Sequence, residues 1–250
     1  MFHAHIPLKM REKLFVSIHI PKTAGTSFLK ALNTGFEPHE LKQDYNHADE
    51  IQALADRGVS ADKQHLIFLK RNIIESSATY FRSIRPIGSE IKCIHGHFPA
   101  VKYLPVILER KTIFLTWLRD PFDRMLSNYF FWKSFDAQDV VNEFTRQMIQ
   151  EDWSLEKFCF HPALRNYQSR WFYNFPLKFL SFIGLTEFFE EDIRYLQDHV
   201  MGIDLPLHHA NKTVTDEHLG KYESMRHNFE TYHADDVNLY RYAQRKRLQR

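Results

Sequence analysis

Only two cysteines, Cys93 and Cys159, occur in the 250 residues, so at most one disulfide is available and the chain must fold by burying apolar surface. Their neighbours Ile94, Phe158 and Phe160 are apolar, which predicts two buried free thiols. Eight glycines and ten prolines are too few for a collagen-like or low-complexity chain. The net charge is +2 with 15 neutral histidines, so no global basic field marks a nucleic-acid partner, and any anion has to be met by a local cluster. No apolar run approaches the roughly 18 residues of a membrane span, and Met1 to Pro7 do not lead from a basic segment into an apolar one. The expectation is a cytoplasmic protein without a membrane span, in which the Asn211-Lys212-Thr213 sequon is accidental.

What is present is an ordinary globular balance, 44% hydrophobic and 26% charged. A chain of this length buries roughly 70–75% of its unfolded surface. We expect one domain over 1–250, with 1–13 an N-terminal extension and 241–250 the basic end of a final helix.

Leu14 to Ile20 is a short apolar run rich in β-branched residues and closed by Pro21, which reads as a buried strand. Lys22 to Ser27 form a tight loop, and Phe28-Leu29-Lys30-Ala31-Leu32 continue as a helix. Residues 33–64 are polar and read as a surface connection with a short helix near 49–57. Further strands are expected at His65–Leu69, Ile91–His95, Thr112–Leu118 and Lys178–Leu185. Asp120 and Pro121 suit the cap and first position of a second helix. Residues 139–173 read as helical and aromatic-rich, 187–199 as an amphipathic helix, and 235–250 as a helix whose basic end is solvated. Strands alternating with helices predict an α/β fold with a central, mainly parallel sheet flanked by helices.

A strand, a tight loop and a helix bring backbone N–H groups and the positive end of a helix dipole to one spot, a ready anion site. Lys22 adds a point charge there, and Thr23, Thr26 and Ser27 carry hydroxyl donors beside Ala24 and Gly25. The loop is not the nucleotide-triphosphatase pattern, because Pro21 stands where a glycine should precede Lys22. At a second strand-to-helix junction, Arg119 offers a fork for phosphate oxygens and Ser127 a hydroxyl on the following helix. Between the two lies His95-Gly96-His97. Two histidines at i and i+2 suit general-base chemistry, a metal site or a plain structural role.

The segment from His19 to Phe28 resembles the 5′-phosphosulfate loop of carbohydrate sulfotransferases, in particular the heparan and uronyl 2-O-sulfotransferase group and its bacterial relatives. Trp117 to Tyr129 resembles the family's 3′-phosphate motif, and Ile94 to Pro99 its His-Gly-His segment. Asn166-Tyr167-Gln168-Ser169-Arg170 resembles a family Asn-x-Gln-Thr-Arg element. The resemblance implies a P-loop-like fold and 3′-phosphoadenosine 5′-phosphosulfate (PAPS) as co-substrate, without a metal. The 5′-end of that nucleotide would be held by Lys22, Thr23, Ala24, Gly25, Thr26 and Ser27. Its 3′-phosphate would be held by Arg119 and Ser127, with Lys212 and Thr213 nearby. Lys22 would also assist the chemistry. His97 would act as catalytic base, with His95 as second choice or as a residue orienting the acceptor. The acceptor implied is a hydroxyl of a glycan, whether oligosaccharide, polysaccharide or glycolipid. The rival readings are an ATP-dependent phosphotransferase and a non-catalytic nucleotide- or glycan-binding module.

Overall fold

A computed structural model describes residues 13–45, 87–140, 142–207 and 222–250. The strand expected at 65–69, the helix expected near 49–57, and Lys212 and Thr213 lie outside the described residues. In chain order the elements are β1 (Leu14–Ile18), α1 (Gly25–Gly35), β2 (Leu41–Asp44), β3 (Cys93–Gly96), β4 (Thr112–Leu118), α2 (Pro121–Lys133), α3 (Glu143–Gln150), α4 (Leu155–Cys159), β5 (Leu180–Leu185), α5 (Phe189–Tyr195), α6 (Arg226–Tyr232) and α7 (Ala234–Arg247), joined by loops and 3₁₀ segments, with a π-helical stretch, Leu196–Met201, continuing α5. The described strands form one parallel sheet in the order β2-β3-β1-β4-β5. This is an α/β domain with its sheet flanked by helices.

A central parallel strand is covered on both faces, and β1 is buried along its whole length for that reason. Its alternate residues feed two cores. Leu14, Val16 and Ile18 pack with Phe114, Phe172 and Leu239 on one face. Phe15 packs with Phe28 and Leu32 of α1 and with Trp117 on the other. A third core lies beside the sheet, where Phe122, Met125, Leu126 and Tyr129 of α2 meet Met148, Phe158 and Phe229. Tyr129, Phe130, Trp132, Trp171 and Phe172 all serve these cores. Cys93 and Cys159 are free, buried thiols in different cores.

α2 begins where its sequence predicts. Asp120 Oδ1 accepts hydrogen bonds from the backbone N–H groups of Phe122 and Asp123, both at 3.0 Å, and Pro121 takes the first helical position, where no N–H is needed. Three expectations are corrected. The polar stretch after α1 contains strand β2, whose sequence LKQD lacks the apolar pattern of an interior strand and which, among the described strands, lies at the sheet edge. Residues 139–173 are not a long helical region but two short helices, broken from each other by a turn with left-handed Asp152 and followed by two 3₁₀ turns with left-handed Asn166 between them. The C-terminal basic cluster is partly tied down. Arg247 and Arg250 both pair with the buried carboxylate of Asp192 on α5, at 2.9 and 2.7 Å, which anchors the chain end to the sheet.

Candidate functional site

β1 sends its connection toward β2 on one side, while its neighbour β4 sends its own toward β5 on the other. Such a divergence opens a crevice beyond the carboxyl ends of the two strands, the usual binding place in an open α/β sheet. The loop after β1 and the Arg119 junction after β4 both lie at the carboxyl ends of these two neighbouring strands.

The loop is wound tightly. Lys22 and Ala24 have φ of 71° and 61°, left-handed values that non-glycine residues adopt at a cost, and Ala24 caps α1 in that conformation. Left-handed residues in such a turn aim successive N–H groups to one side as an anion-binding concavity, and here the N-terminus of α1 adds its dipole. Gly25 is required by close approach. A Cβ there would lie 1.6 Å from Nε2 of His19, whose ring fills that space. The hydroxyls divide. Thr23 is fully buried and its Oγ1 donates to the Ile20 carbonyl at 2.8 Å, so this hydroxyl, expected to face an anion, staples the loop instead. Ser27 is buried in the first turn of α1, and Thr26 faces outward.

Lys22 lies half-buried with its Nζ 3.8 Å from the centre of the Phe131 ring on α2. Burial pushes its amine down to about 8, helped by the nearby cations Arg119 and Arg124. The structure therefore gathers Lys22 and Arg119, assigned from motifs about a hundred residues apart, into one positively charged cluster. Such crowding costs energy that an anion would relieve.

Ser127 is buried on α2, and its neighbours add two residues that motif reading missed. Arg124 is 1% exposed; its Nε donates to the Pro21 carbonyl at 3.0 Å, its guanidinium lies 4.0 Å over the Tyr167 ring, and its Nη2 has no hydrogen-bond partner. Asn128 is also buried with an unpartnered Nδ2. Positions 124, 128 and 131 recur at helical spacing and form one stripe of α2, whose ends meet the loop at Pro21 and Lys22. The signal available in sequence was that spacing, but an arginine inside a helix gives no hint of burial.

The histidines converge on the β3 side. His95 is 1% exposed, with Nδ1 held 2.8 Å from Ser17 Oγ and Nε2 unpartnered. His97, one residue past β3, is only partly buried, and its Nε2 also has no partner. His19, omitted from the sequence-based site, stacks 5.1 Å from His95 and lies 4.5 Å from His97. Tyr45 stands edge-on to His97 at 4.8 Å. Burial pushes His95 down to about 3 and His97 to about 4, and it lowers His19 well below its ordinary value, with the neighbouring histidines adding to the effect on His19 and His95. All three are neutral near pH 7 and can accept a proton. Among the described residues no three His, Cys, Asp or Glu side chains are arranged to hold a metal ion.

No family model matches the chain, and no curated protein matches it in sequence. Among solved structures the chain is similar to the sulfotransferase from Alicyclobacillus acidocaldarius, with 15% identity, 91% of this chain and 95% of that one covered, and a TM-score of 0.43. It is also similar to retinol dehydratase in complex with retinol and PAP, at 12% identity, 90% and 81% coverage and a TM-score of 0.33. Retinol dehydratase in complex with androsterone and the inactive cofactor PAP gives 13%, 90% and 80%, and 0.29.

Proposed function

We propose that this chain is a PAPS-dependent O-sulfotransferase that moves a sulfuryl group to a hydroxyl of a carbohydrate acceptor. The observation that carries the reading is the meeting of the two nucleotide motifs in the β1/β4 crevice, where Lys22, Arg119 and Arg124 interact electrostatically. The residues suit a bisphosphorylated nucleotide. The wound loop supplies backbone donors, Lys22 a cation for the 5′-end, Arg119 and Ser127 a fork and a hydroxyl for the 3′-phosphate, and the orphaned Nη2 of Arg124 is a buried donor lacking an acceptor.

In the proposed reaction the acceptor oxygen bonds to sulfur as the bond from sulfur to the 5′-phosphate oxygen breaks, and the acceptor's proton passes to His97. His97 supports this role better than His95, because its ring is the less buried of the two and both have a free Nε2. Lys22 stabilises the charge that builds on the leaving oxygen, as donors do in the related phosphoryl transfers. PAPS supplies the activated sulfuryl group; binding and proton transfer belong to the protein.

The test is a metal-free titration of adenosine 3′,5′-bisphosphate against ADP and magnesium-ATP, on the native chain and on Lys22→Ala and Arg119→Ala. Tighter binding of the bisphosphate, lost in Arg119→Ala, is expected, and an acceptor screen with labelled sulfate over glycans follows. Tighter binding of magnesium-ATP, or no binding by folded protein, overturns the reading.

A further inference from the structure

Arg119 directly follows β4, whose last pairing with β5 is Leu118↔Leu185. The Leu118 carbonyl is then taken by the Thr186 hydroxyl at 3.0 Å, so the ladder has ended and the Arg119 peptide groups lie beyond it. A single side chain takes the place of the missing strand. Gln168, 1% exposed, accepts from the Arg119 N–H through Oε1 at 3.2 Å and donates through Nε2 to the Arg119 carbonyl at 2.9 Å. A primary amide is the side chain that can do both at once, since it carries one acceptor and one donor in a plane.

Gln168 is itself held. Its backbone N–H donates to Asp236 Oδ2 at 3.0 Å, and the next N–H, of Ser169, donates to Oδ1 at 2.7 Å. Asp236 is 3% exposed in the first turn of α7. The residue before Gln168, Tyr167, carries the Arg124 guanidinium on its ring, and Arg124 reaches the Pro21 carbonyl of the loop. Two adjacent residues, partly buried Tyr167 and buried Gln168, thus touch the Lys22 loop through Arg124 and the Arg119 junction directly. The Arg119 guanidinium, by contrast, has no hydrogen-bond partner among the described residues, so its aim depends on how its backbone is fixed.

We propose that Gln168, held by Asp236, is a positioning residue that fixes Arg119 and thereby sets the preference of the site for a nucleotide bearing a 3′-phosphate. This rests on the nucleotide reading given above. A side chain that merely filled space would affect all ligands alike; one that aims Arg119 affects only ligands that Arg119 touches.

The experiment measures the ratio of affinities for adenosine 3′,5′-bisphosphate and adenosine 5′-phosphate in the full chain and in Gln168→Met, Gln168→Glu and Asp236→Asn. Gln168→Met keeps the length and removes both hydrogen bonds. It is expected to lower the ratio about tenfold through the bisphosphate alone, as loss of a well-aimed arginine fork would. Gln168→Glu keeps the acceptor and loses the donor, and Asp236→Asn keeps the shape but weakens the hold, so both should lower the ratio less. A native preference for the bisphosphate that survives in Gln168→Met, or equal weakening for both nucleotides, overturns the positioning role and leaves the nucleotide reading standing. Absence of any preference in the native chain overturns both. If Gln168→Met does not melt cooperatively, the same ratio in Gln168→Glu and Asp236→Asn decides, and an unchanged ratio in both overturns the proposal.

Discussion

The Ser17 hydroxyl lies 2.8 Å from Nδ1 of His95, directly across the β1–β3 pairing in which these two residues are register partners. The contact fixes the buried imidazole from one side and leaves Nε2 unpartnered on the other. It ties the strand that launches the Lys22 loop to the strand that launches His97, so the anion-binding and proton-accepting parts share one rigid base.

Burial of neutral histidines gives the fold a pH dependence. The ordinary value for His95 is 6.5, and burial lowers it to about 3. Between those values the unfolded chain binds the proton and the folded one does not, so this contribution to stability is fully present above pH 6.5 and is lost as pH falls toward 3. For one such group the loss from pH 7 to pH 5 is about 2 kcal/mol. In His95→Gln, which keeps a side chain able to meet Ser17 without titrating, the fall in urea-unfolding free energy between pH 7 and 5 should shrink by that amount. An identical fall in both proteins removes His95 as a source.

His97→Ala should lower turnover by about 10²–10⁴-fold, the usual worth of a general base, with nucleotide affinity changed little. Since burial holds His97 at about 4, the base is already deprotonated at neutral pH. The native kcat/KM should therefore be flat down to about pH 5 and decline as pH falls through 4. Steady-state kinetics on both proteins checks this, and full turnover in His97→Ala rules out the assignment.

Lys22, with its amine at about 8, sets the opposite limb. Above pH 8 the free protein must take up a proton to present an ammonium to an anion, so bisphosphate affinity should drop about tenfold per pH unit there. In Lys22→Ala the dependence should vanish along with most of the affinity. A calorimetric titration series from pH 6.5 to 9.5 reads both effects.

Gly25→Ala places a methyl 1.6 Å from the His19 ring nitrogen. The ring must move, and it is packed against His95 and His97. Overpacking of this kind costs about 1–3 kcal/mol. Thermal unfolding should register the loss, and the His97 ring resonances should shift in NMR spectra; unshifted resonances would mean that the added methyl does not displace the His19 ring.

Arg124→Met removes a buried cation while roughly keeping its volume. The Pro21 carbonyl loses a donor, at a cost of about 1 kcal/mol, while the removal of a buried charge with an unmatched N–H works the other way. Stability should stay within about 2 kcal/mol of native, and bisphosphate affinity should fall about tenfold or more. Chemical denaturation beside the same titration separates the two; full affinity in a stable variant means that the orphaned Nη2 does not serve the ligand.

The parts of the fold that could be read from sequence were those with local causes. The apolar run from Thr112 to Leu118 is a strand because it can be buried on both faces, and Asp120-Pro121 starts a helix because the carboxylate caps N–H groups two and three residues on. Strand β2 was not readable, since an edge strand need not be apolar. The position of the loop between β1 and α1 marks an anion site, but residue type could not say that the Thr23 hydroxyl turns inward to Ile20. His19 stood in the motif without an evident role until the fold set its ring between His95 and His97.

By itself the sequence determined the alternation of strand and helix, the two strand-to-helix junctions and the residue types placed at them, because hydrophobic period and helix capping act over a few residues. Tertiary structure alone decided which of those residues share a site. Arg124 meets Pro21 across 103 positions and Gln168 grips Arg119 across 49. The order of strands in the sheet makes these encounters, and burial then fixes which donors are spent inside the fold and which remain for a ligand.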